Sequence, residues 1–290
     1  MRLVTFALKH VPTLQMVGVE LPEEKQVCNL SEAVGKFESF SMQAFLRMGD
    51  EGRKLARNAL ESGKFRIPLD AIVRKAPVPS PSKVVCIGLN YVDHCKETKL
   101  PIPKEPVVFN KFPSSISADG DTIPLYNTNE LDYEVELVIV IGKHARNVKR
   151  SEAMDYIAGF TVGHDVSARD YQIKRNGGQW FLGKTMRGYA PTGPAIVTNI
   201  DNPHNLGIKC TVNGKVVQNS NTSQLVFKTE ELVSHCSKFF DLEAGDLIFT
   251  GTPPGVGLST NTFLNDGDKV TCEIESIGSI TNTVVRSTKA

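Results

Sequence analysis

Short apolar runs separated by turns fill the chain after residue 82, and this pattern constrains the fold more than any other feature. The runs include VVCIGL, VELVIVIG, IAGFTVGHDV, DLIFTG and KVTCEIESIG. Apolar runs of roughly four to eight residues bounded by turn residues are typical of buried strands, whereas helices need longer periodic stretches. Asn213-Gly214 lies between two such runs and is a signal for a tight β-hairpin. The sequence therefore predicts an α+β fold that is rich in strands.

A proline-rich stretch, RKAPVPSPSK at 74–83, separates this region from the N-terminal part of the chain. Alternating prolines cannot continue a helix or pair in the middle of a sheet, so we expect this stretch to be extended. Before it, the pattern predicts a strand near residues 2–8, at a sheet edge, and a helix over Asp50–Ser62. We therefore expect a small α/β domain at 1–75 and a larger domain at 82–290.

The composition excludes several classes of function. With 33 Lys+Arg against 32 Asp+Glu, the net charge of +1 gives no general attraction to nucleic acid or to anionic membranes. No apolar run approaches the roughly 18 residues of a membrane-spanning helix. The six cysteines are scattered without a C-x-x-C pair, which argues against a zinc site and favours buried thiols in a reducing compartment. We expect an intracellular protein, cytoplasmic or mitochondrial, because the chain shows no signal peptide or visible presequence.

Three carboxylates are candidate metal ligands. Glu134 and Glu136, in LDYEVELVIVIG, point to the same face if this run is a strand. Two carboxylates on one face repel each other unless a positive charge lies between them, although a solvent-facing acidic edge would carry the same pattern. Asp165 follows the apolar run IAGFTVGH, where a strand would meet a loop. Together the three residues would form a site of hard oxygen ligands, suited to Mg²⁺, Mn²⁺ or Ca²⁺.

His94 and Glu97, in NYVDHCKE, are candidates for proton transfer. Residues three apart are neighbours on a helical turn, so the glutamate could hold the imidazole in one tautomer while the ring takes a proton. A surface ion pair would show the same spacing. The other five histidines have no such partner in the sequence, and we interpret them as structural.

Lys184 and Thr252 lie in two further motifs with possible roles in chemistry. Lys184 follows apolar residues in WFLGKTMRG. A semi-buried lysine near a metal would stabilise an enolate. An exposed surface lysine is the alternative interpretation, and it would have no such role. Thr252 begins the TPPGVG part of a glycine-rich turn at 251–257. This turn lacks the pattern of a phosphate-binding loop, so we expect it to present the Thr252 hydroxyl and backbone N–H groups to a carboxylate.

Together these segments closely resemble the fumarylacetoacetate hydrolase family. The matching motifs are VVCIGLNYVDHCKE, PVVFNKFPSS, DYEVELVIVIG, GFTVGHDVSARDYQ, WFLGKT, PTGPA, VNGKVVQ, FTGTPPGVG and LNDGDKVTCEIESIGSITN. They follow the order of the family through nearly all of residues 82–285. The resemblance implies a mixed β-roll or β-sandwich of the family's C-terminal type for the larger domain, and a homodimer.

The resemblance also implies roles for individual residues. Glu134, Glu136 and Asp165 would hold Mg²⁺, with Mn²⁺ or Ca²⁺ as alternatives. Lys184 would be the family lysine beside the metal, and Thr252 would bind the substrate.

The remaining assignments concern the substrate and the proton. Arg169 and Gln172, in SARDYQ, would lie near the carboxylate or carbonyl oxygens of the substrate. His94 and Glu97 would form the family's His–Glu dyad, on a short segment that orders over the site when substrate binds.

The function implied by the resemblance is that of an Mg²⁺-dependent enzyme acting on a small β-keto or diketo acid through a metal-bound enolate. We predict keto–enol tautomerisation of oxaloacetate. The alternatives that share this enolate are C–C hydrolysis of an acylpyruvate and decarboxylation of oxaloacetate. One departure from the family motivates a non-enzyme alternative, a catalytically silent metal-binding structural protein: Arg187 stands where the family commonly has an aspartate.

Overall fold

The structure is a computed structural model that describes residues 1–35 and 40–287. The last three residues of the expected 82–290 domain, 288–290, lie outside the described residues. The part of the chain before residue 75 contains β1 (Arg2–Leu8), β2 (Val11–Leu21), β3 (Gln26–Asn29), α1 (Leu30–Val34), α2 (Met42–Arg47), α3 (Asp50–Glu61), β4 (Arg66–Pro68) and β5 (Ile72–Arg74).

The remainder of the chain is dominated by strands, which confirms the α+β, β-rich class. Its elements are β6 (Val84–Gly88), α4 (Val92–Thr98), β7 (Val107–Lys111), β8 (Ile116–Ala118), β9 (Thr122–Leu125), β10 (Leu131–Asp132), β11 (Val135–Ile141), β12 (Ile157–His164), β13 (Ser167–Ala168), α5 (Phe181–Lys184), β14 (Ala190–Val197), β15 (Gly207–Val212), β16 (Lys215–Asn221), α6 (Thr229–Phe239), β17 (Leu247–Phe249), α7 (Gly257–Thr260), β18 (Lys269–Ile274) and β19 (Gly278–Arg286). A π-helical turn at Asp170–Lys174 and several short 3₁₀ turns, among them Arg150–Tyr156, complete it.

Two sheets organise these strands. The larger is a mixed sheet of twelve strands in the order β4-β3-β2-β1-β14-β12-β11-β17-β6-β7, with β5 beside β1 and β8 beside β14. The smaller has five strands in the order β16-β15-β18-β19-β9, and β10 and β13 form a separate two-stranded ribbon. Asn213 and Gly214 connect β15 to β16 with positive φ angles of 51° and 80°, as the predicted hairpin requires.

Strand β11 lies between two hydrophobic cores, which explains why its whole VELVIVI sequence is buried. Leu137 and Ile139 belong to the core that the large sheet shares with the five-stranded sheet. Val138 and Val140 point the other way, into a core that includes Phe45 of α2 and Ala56 of α3. Because side chains alternate along a strand, a continuous apolar run is what a strand covered on both faces needs.

The expectation that the first strand lies at a sheet edge is wrong. β1 pairs with β2 along one side and with β14 and β5 along the other, with Arg2 opposite Val197 and Leu3 opposite Ile196. The strands before residue 75 therefore continue the same sheet that carries the rest of the fold. The division of the chain into domains at 1–75 and 82–290 stays a prediction. Among the described residues, no helix has the length and apolar character needed to cross a membrane.

Candidate active site

Four strand ends meet at one end of the large sheet and bring distant parts of the sequence together. β11 begins at Val135, and its antiparallel neighbours β12 and β17 end at His164 and Phe249. β6 runs parallel to β17 and ends at Gly88, at the same end of the sheet. In an antiparallel pair, one strand begins at the edge of the sheet where its neighbour ends. The acidic segment before β11 therefore lies near the residue after β12, the 251–257 loop and helix α4.

Glu134, Glu136 and Asp165 form a cluster of buried carboxylates. Each offers an oxygen atom, and these three atoms lie within 4.8 Å of one another. Burial, reinforced by the charges of Asp165 and Glu134, holds the pKa of Glu136 well above its usual range. Three carboxylates this close, one of them inclined to keep a proton, are the donor set that a divalent cation of Mg²⁺ type needs. The residues present therefore fit such a metal ion.

Lys184 lies between two of these carboxylates. Its Nζ atom donates to Glu134 Oε2 and to Asp165 Oδ2, at 2.9 Å in each case. Burial lowers the pKa of Lys184, but the charges of Asp165 and Glu134 outweigh this effect and leave the pKa above its usual value. For Glu134 burial raises the pKa, but Lys184 and Arg169 outweigh it and leave the pKa below its usual value. Lys184 is therefore a fixed positive charge at the centre of the cluster.

Arg169 is held by three protein partners. Its guanidinium donates from Nε to Asp132 Oδ2 at 2.8 Å, from Nη1 to Gln172 Oε1 at 2.8 Å and from Nη2 to Glu134 Oε1 at 2.5 Å. Asp132 is itself fully buried and accepts the N–H of Gly257, at the start of α7, at 2.6 Å. These bonds use three of the five N–H groups of the arginine, so two are left without a partner among the described residues.

Lys111 is a member of the site that sequence reasoning missed. Its fully buried ammonium forms an ion pair with Asp165 Oδ1 at 2.6 Å and donates to the backbone carbonyls of Tyr189 at 2.8 Å and Val166 at 3.2 Å, and also to that of Lys184. The sequence signal for it is weak, a single lysine at the end of an apolar run in PVVFNKF. We call the following seven buried acidic and basic residues the charge cluster: Lys111, Asp132, Glu134, Glu136, Asp165, Arg169 and Lys184.

His94 and Glu97 lie on helix α4, as the spacing predicted. The Nδ1 atom of His94 is 3.0 Å from Glu97 Oε2. The other carboxylate oxygen of Glu97 accepts the N–H of Gly255 at 3.0 Å, which ties the helix to the glycine-rich loop. With Nδ1 bonded to the glutamate, Nε2 is the ring atom that can exchange a proton.

The glycine-rich loop donates to a carboxylate, but the carboxylate belongs to the protein. The N–H of Gly251 donates to Glu136 Oε2 at 2.7 Å, and a φ of +100° makes glycine necessary at this position. The Thr252 hydroxyl donates to the carbonyl of Val135 at 2.9 Å and accepts from Gln218 Nε2 at 2.9 Å. The loop therefore fixes the orientation of Glu136.

Most of the predicted site residues border one cavity of about 310 Å³. The predicted residues in its lining are His94, Glu134, Glu136, Arg169, Gln172, Lys184 and Thr252. Asp165 lies behind Lys184 and is fully buried, and Glu97 reaches the cavity through His94. The cavity thus brings charged groups, the His94–Glu97 pair and hydroxyl and amide groups around one volume.

Arg187, the residue that departs from the family pattern, does not contribute to this lining. Its side chain is exposed, and its backbone carbonyl accepts from the Tyr126 hydroxyl at 3.4 Å. Lys184 is oriented by Glu134 and Asp165 instead of by an acid at position 187. The substitution at this position therefore leaves the charge cluster intact.

Comparison with known proteins identifies the family of the chain. The profile of the fumarylacetoacetate (FAA) hydrolase C-terminal family matches residues 83–285. The chain belongs to the fumarylacetoacetate hydrolase family. The profile covers all nine of the site residues that the sequence predicted, and it begins just before β6.

Several members of the family are similar to the whole chain. Oxaloacetate tautomerase fahd2, mitochondrial, of Xenopus laevis is 48% identical over 98% of this chain and 90% of that protein. The crystal structure of maleylpyruvate hydrolase from Sphingobium sp. SYK-6 in complex with manganese(II) and pyruvate has a TM-score of 0.83 and 28% identity, over 99% of this chain and 100% of that one. The 5-carboxymethyl-2-hydroxymuconate delta-isomerase of Mycobacterium smegmatis has a TM-score of 0.78 and 32% identity, with both chains fully covered.

Proposed function

We propose that this protein is a metal-dependent enzyme that interconverts the keto and enol forms of oxaloacetate. The observation that carries the proposal is the buried carboxylate set Glu134, Glu136 and Asp165, bridged by Lys184, in a cavity that the His94–Glu97 pair also reaches. Whole-chain similarity to relatives named oxaloacetate tautomerase selects this reaction among those open to the family.

Glu134, Glu136 and Asp165 would hold Mg²⁺, or Mn²⁺ or Ca²⁺, which prefer the same oxygen ligands. When bound, such a cation supplies Lewis-acid polarisation of the keto oxygen of the substrate. The bond from Gly251 to Glu136 and the ion pair from Lys111 to Asp165 hold these carboxylates in place before substrate arrives.

The protein's own cations would bind the substrate and stabilise its developing charge. Arg169 has two N–H groups free for a substrate carboxylate, with Gln172 and Thr252 nearby in the cavity lining. Negative charge develops on the C2 oxygen as the enolate forms, and the Lys184 ammonium is fixed in a water-poor site where it stabilises that charge. Because its pKa is raised, Lys184 stays protonated and acts by charge alone.

His94 would move the proton. In the enol-to-keto direction one proton leaves the C2 hydroxyl and one is added at C3, so protons balance and no carbon–carbon bond breaks. Glu97 holds Nδ1, which leaves Nε2 of His94 to deliver or remove the proton at C3. This assignment needs only proton transfer, whereas hydrolysis would also need a water molecule aimed at the distal carbonyl.

The decisive experiment follows the decay of oxaloacetate enol absorbance with Mg²⁺. We expect the wild type to accelerate the decay and Glu136→Ala to lose at least about 10³-fold in kcat/KM, because several kcal/mol of charge stabilisation depend on the metal. Glu136 is preferable to Glu134 as the target because Glu134 also bonds to Arg169. Glu105→Ala, at an exposed position, is the matched control and should behave as wild type.

Other outcomes of this assay identify the alternatives. Pyruvate released from acetylpyruvate without tautomerase activity would indicate a C–C hydrolase, which the similarity to a maleylpyruvate hydrolase makes the second candidate. Pyruvate and CO₂ from oxaloacetate would indicate a decarboxylase. Calorimetric binding of Mg²⁺ with no turnover of any of these acids would indicate a catalytically silent metal-binding protein.

We also propose a homodimer and a mitochondrial location. β7 is an end strand of the large sheet, and it and the residue after it expose Val107, Val108 and Phe112. An exposed apolar edge strand is a site for pairing with another chain. Sedimentation equilibrium should give twice the mass of one chain, and a monomer at micromolar concentration would refute the dimer.

The mitochondrial location is proposed from relatives named mitochondrial, and imaging the tagged protein in cells would test it.

A further inference from the structure

Part of the cavity lining is apolar, and the reaction proposed above does not use it. Ile87, Phe109 and Trp180 contribute this apolar surface, in addition to the charged and polar groups of the lining. At the rim, Leu100, Ile173 and Leu258 are 48%, 46% and 41% exposed. None of these side chains can bind the second carboxylate of a small dianionic acid. Exposed apolar side chains around a cavity are instead typical of a site that is covered by an apolar part of a ligand.

Trp180 and Phe109 form an aromatic wall in this apolar part of the lining. Trp180 is the single tryptophan of the chain and lies four residues before Lys184, so the two side chains leave the same face of the helical turn α5. The indole meets the Phe109 ring edge-to-face, with centroids 5.3 Å apart and an interplanar angle of 71°. Lys184 Nζ lies 5.2 Å from the centroid of the same Phe109 ring. The aromatic wall is therefore directly beside the ammonium that faces the reacting end of the substrate.

Gly88 makes this arrangement possible. It is the last residue of β6, and a Cβ atom there would lie 2.7 Å from Trp180 Cζ3 and 3.0 Å from Cη2. Such distances are too short for carbon–carbon contact, so the indole can lie against the strand only because residue 88 has no side chain. Both rings are only partly buried, which leaves part of their surface open to the cavity.

We propose that Gly88, Phe109 and Trp180 form a specificity-determining subsite for an apolar substituent on the distal side of a 2-keto acid. The inference rests on the proposed function, since it places the 2-keto carboxylate at Arg169. It adds that the protein selects its substrate by the distal group, and that alkyl-substituted 2-keto acids bind in addition to oxaloacetate. Each methylene buried against the wall tightens binding by about three- to fourfold.

The test measures binding without turnover through the fluorescence of Trp180. The probes are pyruvate, 2-oxobutyrate and 2-oxohexanoate, each titrated into the full chain with saturating Mg²⁺. Since the chain holds one tryptophan, selective excitation of indole reports on this wall alone. We expect the Kd to fall by about three- to fourfold for each added methylene. A Kd that is constant or rises with chain length in the wild type overturns the inference.

Variants separate the subsite from general damage. Gly88→Ala should displace the indole and reduce the dependence on chain length to below about 1.5-fold per methylene. Gly207→Ala is the matched control, because its nearest neighbour to an added Cβ, Glu275 Oε2, lies at an ordinary 3.5 Å, and it should keep the full gradient. Phe109→Leu keeps an apolar side chain and should reduce the gradient even if Gly88→Ala fails to fold. An undiminished gradient in Phe109→Leu counts against the subsite.

Failure of the proposed function gives a different pattern. If the wild type does not accelerate the enol decay of oxaloacetate but shows the chain-length gradient, the reaction assignment fails and the subsite stands. If oxaloacetate is tautomerised and the gradient is absent, the subsite fails and the reaction assignment stands.

Discussion

The charge cluster and helix α4 border the same cavity, but they are held in different ways. Every member of the charge cluster is buried and has at least one partner of opposite charge or a backbone donor. On α4, the side chains of His94 and Glu97 are 11% and 26% exposed. The helix is joined to the rest of the site by the bond from Gly255 to Glu97 and by one from Ser220 to Asp93.

This difference separates binding from proton transfer. Under the proposed function, side chains that are already held in place by partners would bind a metal ion and a substrate with little movement. Helix α4 is short and carries His94, the residue to which the proposed mechanism assigns proton exchange with the substrate. Under the proposed function, changes in the cluster should therefore affect folding and metal binding as well as turnover, whereas a change of His94 on α4 should affect turnover alone.

The largest effect is expected from Lys111→Met. The substitution keeps the length of the side chain but removes the 2.6 Å ion pair to Asp165 and one donor to each of three backbone carbonyls. Breaking a buried pair by removing one partner costs about 3–5 kcal/mol. We expect the free energy of unfolding to fall by that amount, measured by denaturant unfolding followed by circular dichroism.

Lys104→Met is the control for this prediction, since Lys104 is exposed and has no ion pair among the described residues. A loss of less than about 1 kcal/mol in Lys111→Met would mean that the remaining ion pair with Lys184 is enough to stabilise Asp165. The buried cluster would then be less rigid than its contacts indicate, and the contrast with α4 would weaken.

Much of the candidate site could be predicted from the sequence because it depends on local geometry. Glu134 and Glu136 share a face because side chains alternate along a strand, and the structure places them so. His94 and Glu97 are neighbours because a helical turn joins residues three apart. The apolar run before Asp165 predicted that this residue lies at the end of a strand. That these carboxylates meet was inferred from family resemblance, since periodicity alone says nothing about which strands pair.

The residues that were missed depend on pairing across long sequence distances. Lys111 lies 54 positions before Asp165 and was unremarkable in its own segment. In the sequence Asp132 is one of several acids in the same segment. Its bonds to Arg169 and to the start of α7 follow only from the fold. β1 was expected at an edge because its own sequence gives no sign of β14, which lies nearly 200 residues later.

The second largest effect is expected from His94→Gln. Glutamine keeps a polar side chain on α4 but cannot deliver a proton, so we expect kcat for enol decay to fall by about 10²- to 10³-fold. Mg²⁺ affinity and the free energy of unfolding should stay at wild-type values, because His94 is outside the charge cluster. Stopped-flow absorbance, calorimetry and denaturant unfolding measure the three quantities.

His10→Gln, at an exposed position, is the control and should leave all three quantities unchanged. A fall in stability or in metal affinity for His94→Gln would contradict the separation between the two regions. An unchanged kcat would remove His94 from the mechanism and leave α4 with a structural role only.

The smallest effect is the pH dependence of the free energy of unfolding and of metal affinity, and it tests the protonation state of the charge cluster. Burial, together with Asp165 and Glu134, raises the pKa of Glu136 well above 4.5, so the metal-free folded protein keeps a proton that the unfolded chain loses as pH rises above that value. The folded state binds more protons than the unfolded state in this window, and the free energy of unfolding therefore falls as pH rises through it. Because the pKa of Glu134 is lowered, its contribution to the free energy of unfolding does not change with pH well above 4.5.

A divalent cation must displace the proton of Glu136. The affinity of the protein for the cation should therefore rise by up to about tenfold per pH unit until the pH exceeds the raised pKa of Glu136. Calorimetric titration with Mn²⁺ in two buffers of different ionisation enthalpy should find about one proton released per ion. In Glu136→Gln the pH dependence should flatten at a weaker affinity, since no proton remains to be displaced. Equal affinity across the pH range in the wild type, with no proton released, would mean that Glu136 is already ionised. Three cations (Lys111, Arg169 and Lys184) would then be enough to keep all four carboxylates of the cluster ionised without a metal ion.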